Sequence, residues 1–478
     1  MPRVEFGADG IRGKVGEWPF LPHVIFHIGQ ALAQFVRRRS EHPSVVVGRD
    51  TRPSGLNYLH CLLAGLNSQG INGVDLDVMT TPGVAFLARR QLAALGVAVS
   101  ASHNPIEYNG LKVIGPSGVR LQREEEIEIE GLIDQVLAEA CGDDPSPGQQ
   151  TDAHDLGALY IADQVACSPT GSLRGLRVVL DCADGAASRI APEVFRRLGA
   201  DMTAINDTIE GKSINWQRGS EHVRDDPSQI LRVMRRQGAD YGFAFDGDGD
   251  RLVVVDSDGQ VFDGSDLLYV LARYFHAAGH LRGDTVVTIR QANQGLEKAL
   301  GQIGVRTLYT ANGDRNLEAA MWAGDYLLGG EPGGNIIIND GRHTAADAIH
   351  TAVVLGSALV CDPERPLSAR AEPLQRQPQI AVSLRLPDGL SLELRQKVET
   401  HIDIWRPRLG QDSRILLWPS STQPGVFRLM VEGSHDTTLA QAATIADNIC
   451  DFVRQQTQVQ ARTDEISPAD RHRGGSVS

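Results

Sequence analysis

Apolar positions come in short runs, and their period switches from two to about 3.6 in an order that recurs along the chain. SVVVGRDTRPSGLNYLHCLLAGLNSQGI (44–71) passes from a β-branched run through a polar Gly/Pro loop into an apolar helical repeat closed by glycine. LRVVLDCADGAASRIAPEVFRRLGA (176–200) and DTVVTIRQANQGLEKALGQIGV (284–305) follow the same order. A further short β-rich run comes after each: VDLDV (74–78), MTAIND (202–207) and RTLYTA (306–311). Strand, loop, helix, glycine, strand is the signature of a β-α-β unit in a mostly parallel sheet. The units begin more than about 100 residues apart, too far for a solenoid with its period of about 20–50 residues. They predict three related α/β domains rather than one large doubly wound sheet.

Composition shifts mark the seams. CGDDPSPGQQTDAHD (141–155) and CDPERPLSARAEPLQRQP (361–378) read as connectors. Beyond the second, the pattern changes to QIAVSLRL, a helix from about Leu392 to Trp405, RILLWP, VFRLMVEG and a helix over 436–456. That β-α-β-β-α order predicts a small α+β domain. The expected division is 1–150, 151–256, 257–367 and 368–457, with a polar, patternless tail over 458–478 expected to be disordered.

Charge narrows the partners. The 478 residues carry 46 basic and 60 acidic side chains, a net charge of -14, which disfavours nucleic acid or an anionic membrane. No apolar run reaches membrane-spanning length, and MPRVEFGADG lacks the form of a signal peptide. Six widely spaced cysteines without a C-x-x-C pair fit free thiols in a reducing cytoplasm.

YGFAFDGDGDRLVVVDSDG (241–259) carries the sharpest chemistry. Asp246, Asp248 and Asp250 sit between two predicted strands, with glycines that let the turn aim all three carboxylates at one point. Such carboxylates repel one another unless a cation lies among them. A calcium EF-hand fails, because Arg251 stands where its glycine belongs and Ser257 where its glutamate belongs. An acidic, solvated hairpin explains the alternation poorly, so Mg2+ is the expected occupant.

VSASHNPIEYNGLK (99–112) places Ser102 on a loop after an apolar strand, with His103 beside it and Lys112 downstream. No G-x-S-x-G elbow is present, and a histidine base rarely reaches its own neighbour's hydroxyl, so a serine hydrolase is not indicated. A serine combined with a divalent-metal site points instead to phosphoryl transfer through a phosphorylated serine, with a lysine handling the proton of the accepting hydroxyl. SHNP on its own would be an ordinary turn.

FGADGIRG near the N-terminus, VSASHNPIEYNGLK and FDGDGDR, in that order on a chain of this length, resemble the α-D-phosphohexomutases, and the opening motif is most similar to the phosphoglucosamine mutase branch. The resemblance runs from residue 3 to about 450 and implies three similar mixed-sheet α/β domains followed by a smaller, TATA-binding-protein-like α+β domain around a central cleft. It also implies an activity: interconversion of a hexose 6-phosphate and 1-phosphate through a phosphoserine and a hexose 1,6-bisphosphate, which also serves as activator. Ser102 would be the phosphoserine and Lys112 the general acid/base, with His103, Arg12 and Arg251 around the transferring phosphate. Asp246, Asp248 and Asp250 would hold Mg2+ together with the Ser102 oxygen, and Asp314 and Arg315 in NGDRN would contact the sugar phosphate. The implied partner is a small sugar phosphate in the cytoplasm, neither nucleic acid nor membrane, on a chain free to form a homodimer.

Two loops depart from the family pattern. Where Gly-Glu-x-Ser-Gly-His is usual, this chain has GEPGGN: Glu331 remains, Gly333 replaces serine and Asn335 replaces histidine. Where an Arg-x-Ser-Gly-Thr-Glu-Pro phosphate loop is usual it has WPSSTQP, so that Trp418 replaces the arginine while Ser420, Ser421, Thr422 and Arg428 remain as donors. RHTAAD (342–347) replaces a further Thr/Gly-rich segment. The transfer machinery is intact and the sugar-reading loops are altered, which keeps a phosphoglucomutase or phosphomannomutase, a non-catalytic sugar-phosphate-binding paralogue and a phosphatase-like activity in view beside glucosamine 6-phosphate mutase.

Overall fold

The structure, a computed structural model, describes residues 2–40, 43–138, 147–386, 392–410, 412–419, 425–434, 437–457 and 463–464. The chain divides into two compact units, Met1–Arg290 with Leu300–Pro373 and Gln291–Ala299 with Leu374–Ser478.

In the larger unit, β1 (Ile11–Lys14), β2 (Ser44–Arg49), β3 (Asn72–Val78), β4 (Leu95–Val99), β5 (Tyr108–Ile114) and β6 (Gln150–Asp152) make one sheet in the order β1-β5-β4-β2-β3-β6. Strands β4, β2, β3 and β6 are parallel, and β5 turns back antiparallel on β4. The β6 pairing is a departure from the expected connector over 141–155: Gln150–Asp152 have backbone groups to satisfy and add to the free edge of β3. Helices α1 (Pro22–Arg37), α2 (Pro53–Ser68), α3 (Thr81–Arg90) and α4 (Arg123–Ala138) accompany the sheet. Proline at the first turn starts α1 and α2, where its missing N–H costs nothing. These two helices touch through glycine: a Cβ on Gly29 would lie 2.3 Å from Leu62 O, and one on Gly65 2.0 Å from Phe26 O.

The second sheet holds β7 (Arg177–Asp181), β8 (Asp201–Ile205), β9 (Tyr241–Phe245), β10 (Leu252–Asp256) and β11 (Val261–Phe262), ordered β11-β10-β9-β7-β8, with α5 (Gly157–Ala166), α6 (Ala191–Arg197), α7 (Gly219–Asp225) and α8 (Ser228–Gln237). The third holds β12 (Thr285–Ile289), β13 (Arg306–Thr310), β14 (Leu328–Gly330) and β15 (Ile336–Ile338), ordered β13-β12-β14-β15. Its helices are α9 (Gly264–Ala277), α10 (Gln294–Gln302), α11 (Asp314–Ala323), α12 (Ala348–Cys361) and α13 (Leu367–Ala371). One arrangement therefore occurs three times. A central strand (β4, β9 or β14) lies parallel to one neighbour and then folds back antiparallel on the next strand in sequence.

The smaller unit is an antiparallel sheet of β16 (Gln379–Arg385), β17 (Arg414–Pro419), β18 (Val426–Glu432) and β19 (Thr463–Asp464), ordered β17-β18-β16-β19, with α14 (Leu392–Trp405) and α15 (Leu439–Thr457). Leu384, Leu429, Val431, Ala446 and Ile449 are among its buried core. Residues 291–299 group by contact with this unit, where buried Glu432 accepts the amide of Gln294 at 2.7 Å, a carboxylate at the start of α10, and Asn293 Nδ2 donates to Gln377 O at 2.9 Å. One departure from the sequence reading occurs here. Of the tail expected to be disordered, Thr463–Asp464 pair with β16; the rest lies outside the described residues.

Candidate active site

The three equivalent hairpins carry the three motif loops. Ser102 follows β4, Asp246 follows β9 and Glu331 follows β14, each leaving the carboxyl end of its strand, where open α/β sheets expose their connections.

The Ser102 loop is held from behind by Arg52. Its guanidinium, fully buried, donates to four backbone carbonyls: Ser102 (2.9 Å), Asn104 (2.7 Å), Pro105 (2.5 Å) and Tyr108 (3.0 Å). Asp50 balances that charge at 2.9 Å and also accepts from Ser100 Oγ at 2.6 Å, while Ser100 Oγ takes the Ser102 amide at 2.8 Å. Asn215 Nδ2 donates to Ser102 O at 2.8 Å. So constrained, Ser102 adopts a left-handed backbone, φ +53°, which such contacts must over-determine. One consequence corrects the sequence reading: the turn brings His103 Nδ1 to 3.2 Å from Ser102 Oγ, within reach of its neighbour's hydroxyl. Burial and then the Arg251 charge press the imidazole down to about 3, so it stays neutral and is a weak proton acceptor.

Ser102 Oγ donates to Asp246 Oδ2 at 2.6 Å. The other oxygen of Asp246 collects the amides of Gly249 (3.1 Å), Asp250 (3.1 Å) and Arg251 (3.2 Å), which shapes the loop. The two loops touch so closely that a Cβ on Gly247 would lie 2.6 Å from Ser102 O. Lys112, on β5 and buried, bridges Asp248 at 2.6 Å and Asp250 at 2.8 Å. Burial alone would lower its pKa, but the two carboxylates outweigh burial and hold it above the ordinary lysine value. Asp248 is in turn held below the usual carboxylate range, its burial overcome by Lys112. Asp246, buried beside Asp250 and Asp248, is pushed well above it.

The aspartates can hold a hard cation. One ligand oxygen from each of Asp246, Asp248 and Asp250 lies within 4.8 Å of the others. Asp248 Oδ1 and Asp250 Oδ1 are buried without a hydrogen-bond partner, and an all-oxygen set of this kind suits Mg2+.

Unpaired donors surround this core. Arg251 reaches Glu221 at 2.7 Å, and its buried Nε, without a hydrogen-bond partner, lies 4.0 Å from Asp250 Oδ1; Arg12 lies 3.4 Å from Asp9 and leaves Nε and Nη1 without hydrogen-bond partners. Arg315 Nε is likewise unpaired, while its Nη2 meets Glu126 at 2.8 Å. Asp314 is tied to Arg120 at 3.0 Å. Glu331 presents a buried, unpartnered Oε1, and its carboxyl is raised to about 8 by burial and then by Asp314. Asn335 bridges Arg251 through the backbone, and Arg224 donates to Gly333 O at 3.0 Å. Buried guanidinium N–H groups beside a neutral imidazole suit a phosphate.

In the smaller unit, Arg428 on β18 stands opposite Trp418 on β17 and donates to Ser383 Oγ. Ser420, Ser421 and Thr422 lie outside the described residues.

Family models described as phosphoglucomutase/phosphomannomutase, alpha/beta/alpha domains I, II and III, match residues 3–139, 159–259 and 263–376. The chain is an α-D-phosphohexomutase. A phosphoglucosamine mutase of Alkalilimnicola ehrlichii is 38% identical over 458 residues, covering 95% of this chain and 98% of that one. A phosphoglucomutase/phosphomannomutase family protein from Burkholderia thailandensis shares the fold at a TM-score of 0.78 and 24% identity, covering 97% and 99% of the two chains. An Aspergillus fumigatus N-acetylphosphoglucosamine mutase in complex with GlcNAc-6P and magnesium does so at 0.66 and 17%, covering 95% and 96%.

Several residues of this candidate site escaped the sequence reading: Arg52, Asp50, Ser100, Asn215, Glu221 and Thr81, whose hydroxyl reaches Asp248 at 2.5 Å. GRDTRPSG did carry a signal, because it ends β2 next to β4, and loops at the same end of adjacent parallel strands converge. SINWQRGSEH carried none.

Proposed function

We propose that the chain interconverts glucosamine 6-phosphate and glucosamine 1-phosphate through a phosphorylated Ser102. The observation that carries this is the Ser102 hydroxyl facing Asp246 while unpaired arginine donors and a charged, buried lysine stand around it. Similarity to phosphoglucosamine mutases over nearly the whole chain supports the amino sugar.

The chemistry is two transfers. The O1 hydroxyl of the 6-phosphate attacks phosphorus on Ser102, the P–Oγ bond breaks, the O1 proton ends on the released Ser102 Oγ, and a 1,6-bisphosphate results. With the sugar reversed, Ser102 Oγ attacks the O6 phosphorus, and O6 leaves carrying a proton. Lys112, held as an ammonium, donates that proton and is recharged by the proton that Ser102 Oγ loses; the opposite direction retraces both movements. Arg12, Arg251 and neutral His103 orient the phosphoryl oxygens, with Asp314, Arg315 and Glu331 toward the sugar phosphate. Mg2+ held by Asp246, Asp248, Asp250 and the Ser102 oxygen would neutralise phosphate charge. Arg428, with Ser420, Ser421 and Thr422, is proposed for the phosphate that is not reacting, and hexose 1,6-bisphosphate as activator. Among the described residues no helix is long and apolar enough to cross a membrane. A cytoplasmic setting and a homodimer complete the reading.

Gly333 and Asn335 favour a second reading, a mutase for glucose or mannose phosphate, since the serine and histidine contacts to the sugar are missing. A mutase assay with Mg2+ and a trace of hexose 1,6-bisphosphate decides. Turnover of glucosamine 6-phosphate above glucose 1-phosphate and mannose 1-phosphate, abolished in Ser102→Ala, is expected. No turnover of any of the three, with Ser102 phosphorylated by mass spectrometry, would sink it.

A further inference from the structure

Helix α5, the RHTAAD segment and the first turn of α12 meet at Cys167, His343 and His350, none of which takes part in the site around Ser102. One ligand atom from each lies within 4.8 Å of the others. Asp340 extends the set: its Oδ2 is 3.6 Å from Cys167 Sγ and 3.4 Å from His343 Nδ1, which is 3.9 Å from that sulfur. Ligands at about 2.0–2.3 Å around tetrahedral zinc stand about 3.3–3.6 Å apart, so sulfur, nitrogen and oxygen already outline one face of such a site.

His350 is the second, independent observation. It is 2% exposed, and neither of its ring nitrogens has a hydrogen-bond partner. A buried imidazole without a partner is destabilising unless something occupies the place its nitrogens face. Its ring stacks on His343, centroids 4.0 Å and planes 23° apart, so His350 must turn out of the stack to bring a nitrogen to the point that His343 faces. His343 Nε2 lies 3.3 Å from Asp163, the carboxylate–histidine arrangement that orients a metal-bound imidazole. One cation opposes: Arg342 Nη1 is 3.6 Å from Asp163 and 3.7 Å from Cys167 Sγ, but its side chain is 55% exposed and can swing into water.

We infer that Cys167, His343, His350 and Asp340 form a binding site for a tetrahedral divalent transition metal, with zinc the fitting ion. The mixed sulfur–nitrogen–oxygen set separates it from the all-oxygen aspartate loop, which suits a hard cation. On binding, metal–sulfur and metal–nitrogen bonds form as the thiol proton, and any proton on the ligating imidazole nitrogens, pass to water. The metal staples α5 and residues 340–347 to the start of α12. There Asp347 caps His350 N at 2.9 Å, and Ala348 N donates to Gly249 O at 3.1 Å, so the staple also steadies the aspartate loop.

The test uses the full chain loaded with Zn2+ and dialysed against Mg2+, which saturates the aspartate loop. Zinc near one per chain is expected, falling below about a tenth in Cys167→Ser, because thiolate ligation dominates such sites. Co2+ in place of zinc should give a near-ultraviolet thiolate-to-cobalt band that Cys167→Ser abolishes and Cys361→Ser, at an exposed thiol outside the cluster, leaves unchanged. His350→Leu should lose zinc as well; should it fail to fold, Cys167→Ser with native circular dichroism decides by itself. Zinc washed away from folded wild type, or a cobalt band indifferent to Cys167→Ser, would overturn the assignment. Mutase activity is no part of the readout, so this outcome stands apart from the reading of the active site.

Discussion

Ser102 Oγ donates to Asp246 Oδ2 at 2.6 Å, across 144 positions of sequence and between two different sheets. The hydroxyl that the reading phosphorylates and a carboxylate that would hold the metal thus meet directly. Each sits on the same hairpin of its own sheet, which is why duplicated β-α-β units can assemble one site.

Ser102→Ala removes the oxygen that the proposed reaction phosphorylates. Mutase turnover should fall by about 10⁴-fold or more, the scale on which a covalent nucleophile matters. Label from a 1,6-bisphosphate should no longer stay with the protein. Retained labelling would place the nucleophile elsewhere.

Arg52→Lys leaves one ammonium to serve four carbonyls and Asp50. Buried hydrogen bonds to charged groups are worth about 1.5–3 kcal/mol each, and a loop shift of about 1 Å can cost about 10²-fold in rate. Urea melts should show the stability loss, and steady-state kinetics a kcat loss larger than the change in KM. A variant as stable and as fast as wild type would deny Arg52 its positioning role.

Lys112→Met strips the cation from the buried aspartates. Breaking such a pair costs about 3–5 kcal/mol. The loss should be greatest in EDTA and partly restored by Mg2+, read as unfolding midpoints with and without the metal. Equal midpoints in both conditions would argue against a cation among Asp246, Asp248 and Asp250.

Glu331 is raised from 4.5 to about 8, first by burial and then by Asp314. The folded chain therefore binds this proton more tightly than the unfolded chain. Its contribution is whole below pH 4.5 and drains away as pH rises to about 8. Glu331→Gln should melt progressively higher than wild type from pH 5 to 8, with a constant difference above that range. A pH-independent difference would contradict it.

Gly333→Ser restores the family's hydroxyl. A Cβ there finds nothing closer than Asn335 Oδ1 at 3.7 Å, so serine fits without strain. One added hydrogen bond should raise kcat/KM for glucosamine 6-phosphate about 2–10-fold. The ratio against glucose 1-phosphate is the number to measure; an unchanged ratio would mean that position 333 does not read the sugar.

The β-α-β units, the small α+β ending and the Ser102 and Asp246 loops were legible in the sequence because each is local: periodicity, glycine and clustered carboxylates act within a few residues of one another. Even there, the strands at Gln150–Asp152 and Thr463–Asp464 were missed, because three polar residues and two carry no period and pair only when an edge is on offer. What only the tertiary structure decided were contacts across strand order. Arg52 reaches Tyr108 over 56 positions, Arg251 reaches Glu221 over 30, and His343 reaches Cys167 over 176. Side-chain identity says what such groups can do. Only the packing of sheets and helices brings them within hydrogen-bonding or ligating distance, where removal from water makes their charges count.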